Sequence, residues 1–375
     1  MSRRWVPCAL LAVVLTSCGS SVQPFAASAR PAPTTTTTTT TTSVVATTTS
    51  KLKPRPESMA NPAGTAVVPP EAEPEDTSSP TKVVGTGTSA SCTSDAVAEA
   101  VAGGGVITFD CGPEHVTVVL DETVRIRNDK ARDIVIDGGG LVTLSGAGER
   151  RLFYLNTCDR SLGAGTRCQD QTHPRLTLQN LTLADGNATG ETEEGGGAVY
   201  ARGGSLKVVN SRFLRNRCDQ DGPDLGGAAI RAFGQKEPVY VVGSTFQNGE
   251  CSNGGALSSI GTSWVVLNSV LKNNKAIGRG ANPARDGEPG GGSGGALYAD
   301  GNEFTVKIAG TLIEDNHANE GGGAIFFVSN DRSGTMVVEG STLRRNPSDG
   351  FETPGLKGIF FLGATEVTIT GSTIE

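Results

Sequence analysis

Positive charge is in short supply: 32 Lys and Arg stand against 39 Asp and Glu, a formal charge of −7. Binding a phosphate backbone requires clustered Lys and Arg, so nucleic acid is excluded as a partner. Beyond the first twenty residues no apolar run approaches the ~20 residues that cross a bilayer as a helix. There is no Cys-x-x-Cys, and none of the three histidines, His115, His173 and His317, lies between two glycines. Close Cys/His spacing of the metal-binding kind is therefore missing. Glycine is the opposite case, with 51 of 375 residues, roughly twice average usage. It does not recur at every third residue, which excludes collagen. Each interior glycine costs a helix ~1 kcal/mol, which argues against a globular helical enzyme. What remains is a strand-rich, turn-rich exported chain. Its length accommodates two ordinary domains or one elongated domain with tails.

The N-terminus carries Arg3 and Arg4, then the apolar stretch Trp5 to Leu15, the arrangement of a signal peptide over residues 1–17. Leu15-Thr16-Ser17-Cys18 resembles the lipobox of bacterial lipoproteins. That resemblance implies acylation of the Cys18 thiol and a membrane as partner through the lipid; an ordinary signal peptide is the alternative. Residues 18–88 are rich in Thr, Pro, Ala and Ser, with nine consecutive threonines from Thr34 to Thr42. So little apolar surface cannot offset the entropy of ordering, and a disordered spacer is expected. Seventy flexible residues reach about 45 Å end to end.

From Cys92 onward the chain repeats. Segments Leu176–Leu183, Leu206–Phe213, Val239–Phe246, Trp264–Leu271, Val306–Ile313, Met336–Leu343 and Val367–Ile374 align without gaps. Each has Asn or Gly at its fifth position. A Gly-Gly-Ala-type element (Gly196, Gly227, Gly254, Gly294, Gly322) precedes a second short apolar run, and Phe213-x-x-Asn216 recurs at Asn274, Asn316 and Asn346, with Asn248 shifted. Four-to-six-residue strands without a helical period cannot bury their apolar faces singly. Stacking unit on unit buries those faces and pairs each strand with neighbours above and below. The Asn side chains at the turns then hydrogen-bond from one level to the next.

These motifs resemble the repeats of polymorphic outer-membrane proteins, and residues 89–375 resemble a secreted parallel β-helix of the pectate-lyase-like superfamily. The expected fold is all-β: a right-handed parallel β-helix of about nine or ten rungs. Thr93 to Ala102 is helix-favouring, with Thr93 or Ser94 as N-cap, and is expected to cover the open end. No membrane barrel like that of the polymorphic proteins is expected within residues 89–375.

Six cysteines remain in the repeat region, and proximity in an exported chain pairs Cys92 with Cys111, Cys158 with Cys168 and Cys218 with Cys251. Catalytic signals are sparse. Glu314-Asp315 and Glu193-Glu194 are two pairs of adjacent carboxylates in the repeat region, and both are expected to be solvated rather than a hydrolytic pair. Asp219, Asp221 and Asp224 have calcium-like spacing but fall short of a ligand loop, leaving Ca²⁺ a weak candidate and no cofactor required. Arg202 and Arg231 fall at nearby positions of successive rungs, suited to an anionic sugar. The insertion Lys275 to Ser293, with Arg279 and Arg285, is the candidate specificity loop. The sequence thus points to an extracytoplasmic, lipid-anchored β-helix that binds a polysaccharide or protein partner without catalysis. A lyase or other carbohydrate-active enzyme working on an acidic polysaccharide is the alternative.

Overall fold

A computed structural model describes residues 58–163 and 168–375. The signal region, Cys18 and the tether up to residue 57 lie outside the described residues. The described chain is an all-β parallel solenoid. One column of its 17-stranded sheet climbs Lys82–Val84, Gly105–Phe109, the first half of Asp133–Ser145, the first half of Arg175–Ala184, Ser205–Val209, Val239–Val242, Trp264–Leu267, Thr305–Ala309, Thr335–Glu339 and Thr368–Thr370. Every neighbouring pair in it is parallel. A second column of the same sheet runs from Val116–Val119 up to Thr373–Ile374, and from Ser205–Val209 upward a two-residue corner joins the two strands of each rung. An eight-stranded sheet, Val124–Arg125 to Ile359–Leu362, forms the opposing wall.

Side chains alternate in and out along each short strand. The inward set packs as columns: Phe213 stacks on Phe246 at 4.5 Å, and Leu271, Ile313 and Leu343 continue above them. The corner between the two columns needs a left-handed residue. Asn180, Asn210 and Asn268 supply it with φ of 52°, 44° and 51°, and Gly243, Gly310 and Gly340 fill the equivalent places. The residue after the corner is Ser211, Ser244, Ser269, Thr311, Ser341 or Ser372. Each rung's backbone N–H there donates to the hydroxyl one level up, at 3.0–3.2 Å. The hydroxyl ladder thereby bridges the gap that the corner leaves in the strand ladder. A second internal ladder runs Asn274–Asn316–Asn346, with amide contacts of 2.9 Å. On the rung below Asn274, Gly249 rather than Asn248 holds the ladder position: its N–H donates to Asn274 Oδ1, and exposed Asn248 lies in the preceding left-handed turn. In the Gly-Gly-Ala elements the first glycine, as at Gly294 with φ 73°, makes the turn. A Cβ on the second would press to 2.1 Å of the next rung's carbonyl at Gly295.

Helix Ser94–Gly103 starts at Thr93, whose hydroxyl accepts from Ala96 N–H, and places Val97, Ala100 and Val101 on the first rungs. Cys92–Cys111 fastens it, Cys158 bonds Cys168 ten residues on, and Cys218–Cys251 joins adjacent turns of successive rungs. Three disulfides mark an oxidising, extracytoplasmic environment.

The spacer expected over 18–88 requires correction. Residues 58–81 form an ordered strap on the outside of the coil, and Lys82–Val84 is already its first strand. The strap docks because the outward column Val209, Val242, Leu267 and Ala309, which is in register rung by rung, is apolar and needs covering. Ala72, fully buried, and the half-buried Ala66 and Val68 cover it. The corner asparagines receive the strap backbone. Met59 N–H donates to Asn210 Oδ1 at 3.0 Å, Ala66 N–H to Asn268 Oδ1 at 2.8 Å, and Asn268 Nδ2 to Ala66 O at 2.8 Å. Lower down, Glu75 and Gln179 exchange two bonds, and Thr77 Oγ1 donates to Asp137 Oδ2 at 2.7 Å.

Candidate functional site

The outward face of the eight-stranded sheet carries a column of large side chains. By register it runs Arg125, Tyr154, Tyr200, Arg231, Ser258, Tyr298, Phe326 and Phe360. Arg231 therefore stands opposite Tyr200, and Arg202 opposite Phe233 in the neighbouring column. The two arginines share a face but not a position. Arg231 is 5% exposed, and its guanidinium donates to Ser258 Oγ at 2.6 Å and to the Asp224 carbonyl. Arg202 lies half-buried with its guanidinium 4.9 Å from the Phe233 ring centroid. The turn that carries Asp224 folds over Arg231 and withholds it from solvent, so the pair does not present two open guanidinium groups side by side.

Arg151, which no motif marks, holds one of those turns. It is 2% exposed, 5.2 Å from the Tyr200 ring centroid, and donates to the carbonyls of Glu193, Gly195 and Gly196. Burial pulls its guanidinium below its ordinary range. Glu194 is exposed as expected, whereas Glu193 is half-buried and accepts from Tyr200 Oη at 2.8 Å, and burial raises that phenol. Asp315 is exposed and Glu314 half-buried, and both pair with Arg344 and Arg345 from the next rung at 2.6–2.9 Å.

The insertion after Lys275 is closed by its own contacts. Arg285 donates to Glu320 at 2.6 and 2.8 Å and also faces Glu288, while Arg279 is exposed and its backbone bridges Gly290. Asn282 Nδ2 reaches Asp224 Oδ1 at 2.7 Å and Tyr298 Oη at 2.9 Å. Tyr298 in turn donates to Asp300 Oδ2 at 3.1 Å, and burial pushes the Asp300 carboxyl up. Of the calcium candidates, Asp219 accepts the Gly190 N–H, Asp224 holds Asn282, and Asp221 is exposed. Among the described residues no three His, Cys, Asp or Glu side chains gather closely enough to hold a metal ion.

The Arg285 bond holds the Glu320 carboxyl below the usual carboxylate range. A depressed folded-state pKa contributes stability above the unfolded value, and that contribution is lost as pH falls through the folded value. Proteolysis of the 279–293 loop is therefore expected to rise only as pH drops below about 4.5, the usual value for Glu. Arg285→Ala should give the same susceptibility at neutral pH, and an NMR titration should return Glu320 towards its ordinary range. Cleavage indifferent to pH and to this substitution would remove the ion pair from any role in closing the loop.

An open concavity lies elsewhere, on the flank beside the strap. It has a volume of about 680 Å³. Its floor is the outward column Val106, Val135, Thr177, Lys207 and Tyr240, one residue per rung. Strap residues Glu71, Glu75 and Asp76 form one wall, and Asp133, Arg175 and Glu237 line the other. Lys207 Nζ bonds Glu75 at 2.5 Å and the carbonyls of Glu71 and Glu73, and Arg175 bonds Asp133 at 2.5 Å. The sequence hides this cleft because one of its walls belongs to the low-complexity segment. No protein-family model, curated protein or solved structure matches the chain.

Proposed function

We propose that this protein is a binding module: a parallel β-helix, held at a bacterial membrane by acylated Cys18 and a Thr/Pro-rich tether, that engages a partner along its flank without transforming it. The observation that carries this reading is the division of the surface. Arg151, Arg231 and Tyr298, on or beside the eight-stranded face, are buried in bonds that hold turns closed, whereas the concavity beside the strap is open. A concave site with an apolar floor and a few convergent polar groups is the usual form of a binding site.

A carbohydrate-active alternative attaches to Asp300. Its raised carboxyl beside Tyr298 is the kind of perturbation seen at acid–base sites. Incubating the full chain with polyuronides and Ca²⁺ while following ultraviolet absorbance separates the two. No unsaturated uronate is expected; release abolished by Asp300→Asn or Arg231→Ala would install the lyase instead. For the anchor, Cys18→Ala should move the protein from the membrane to the soluble fraction. Unchanged retention of that variant would refute lipidation.

A further inference from the structure

The cleft beside the strap has a definite charge. It is lined by five carboxylates and two cations, and each cation is bonded to one of the carboxylates. Glu71, Asp76 and Glu237 are left exposed on its walls without a cation partner among the described residues. Two of these stand on the strap and one on the opposite rim. Beneath them the floor begins with Val106, Val135 and Thr177, small side chains that leave the channel flat. Five rungs at ~4.8 Å make a channel roughly 20 Å long, the span of about six residues of extended peptide.

We propose that this cleft takes an extended cationic peptide segment, with Lys or Arg side chains directed at the carboxylates of both walls and small apolar side chains on the valine floor. This rests on the binding-module reading and narrows it to one class of partner. The channel runs across the strands, and their N–H and C=O groups are already paired along the rungs, so the peptide adds no strand to the sheet. Recognition comes from charge and from the floor. A polyanion such as a uronate polymer is disfavoured here by the same three carboxylates, since like charges without countercharge repel across a low-dielectric wall.

The test uses the full chain and a fluorescein-labelled Lys-Val repeat peptide, with a Glu-Val repeat and polygalacturonate as comparators. The Lys-Val peptide should bind, weaken as salt is raised, and be ignored by the comparators as competitors. Glu71→Gln, Asp76→Asn and Glu237→Gln together should weaken it about tenfold, because each exposed ion pair is worth up to ~5-fold. All three positions are exposed, so circular dichroism and the thermal midpoint should not move. Absence of binding, or binding that the triple variant leaves intact, overturns the proposal. Polygalacturonate bound equally by wild type and triple variant would end it while preserving the binding-module reading. Unsaturated uronate release would instead end that wider reading.

Discussion

Ala72→Asp should release the strap from the coil. Ala72 is fully buried against Val209, Val242, Leu267 and Ala309, and the Lys207 ammonium beside it is already bonded to Glu75 and to the carbonyls of Glu71 and Glu73. An unpaired carboxylate there costs several kcal/mol, comparable with the strap's bonds at Met59, Ala66 and Glu75 taken together at about 1 kcal/mol net each, and the apolar cover is lost with it. Because the strap lies outside the solenoid, the chain can avoid that cost by peeling instead of unfolding. Limited proteolysis should then clip residues 58–81 quickly while the rungs from Lys82 onward stay resistant. A hydrophobic dye should report the uncovered Val209–Ala309 column. Global unfolding of the variant, or an unclipped strap, would mean that the strap is part of the core and not a cover.

Trp264→Ala should be among the most damaging single substitutions, at about 3–5 kcal/mol by chemical denaturation. Trp264 is fully buried, where the rungs below and above carry Val239 and Val306. The extra volume is accommodated because the inward residue of the same rung on the facing sheet is Ser259, whose hydroxyl accepts the indole N–H at 2.8 Å. The pair acts as one unit. Trp264→Phe should cost about 1–3 kcal/mol, partly from leaving Ser259 without its donor. Adding Ser259→Ala should recover part of that cost, and strict additivity in the double-mutant cycle would deny the coupling.

The coil was legible in sequence because its periodicity is written redundantly. Seven aligned strands, the corner Asn/Gly and the Gly-Gly-Ala turn each give the same register, and the structure places Val209, Val242, Leu267 and Ala309 in one column. What those four positions mean was harder to read. Apolar residues at an outward position imply a cover, and that signal was present, but the covering segment has the composition of a disordered tail. Composition measures whether a segment can bury its own core; it is silent on one that borrows an apolar stripe and a row of asparagine amides from elsewhere. The offset between Arg202 and Arg231 could have been found by counting from the Gly-Gly-Ala element. Tyr200 and Arg231 each stand two residues after its alanine, at Ala198 and Ala229. Arg151 had no such handle, since its role depends on which distant turn carbonyls come within reach.

The strap also decides how mechanical load enters the molecule. Chain arriving from residue 57 meets the solenoid at its waist, where Met59 N–H bonds Asn210 and Met59 O accepts from Thr245, far from the helix-covered end. A pull on the N-terminal side would draw on these contacts one at a time, in the manner of a zip. The strap would lengthen as a sacrificial leash before tension reached Lys82 and the first rung.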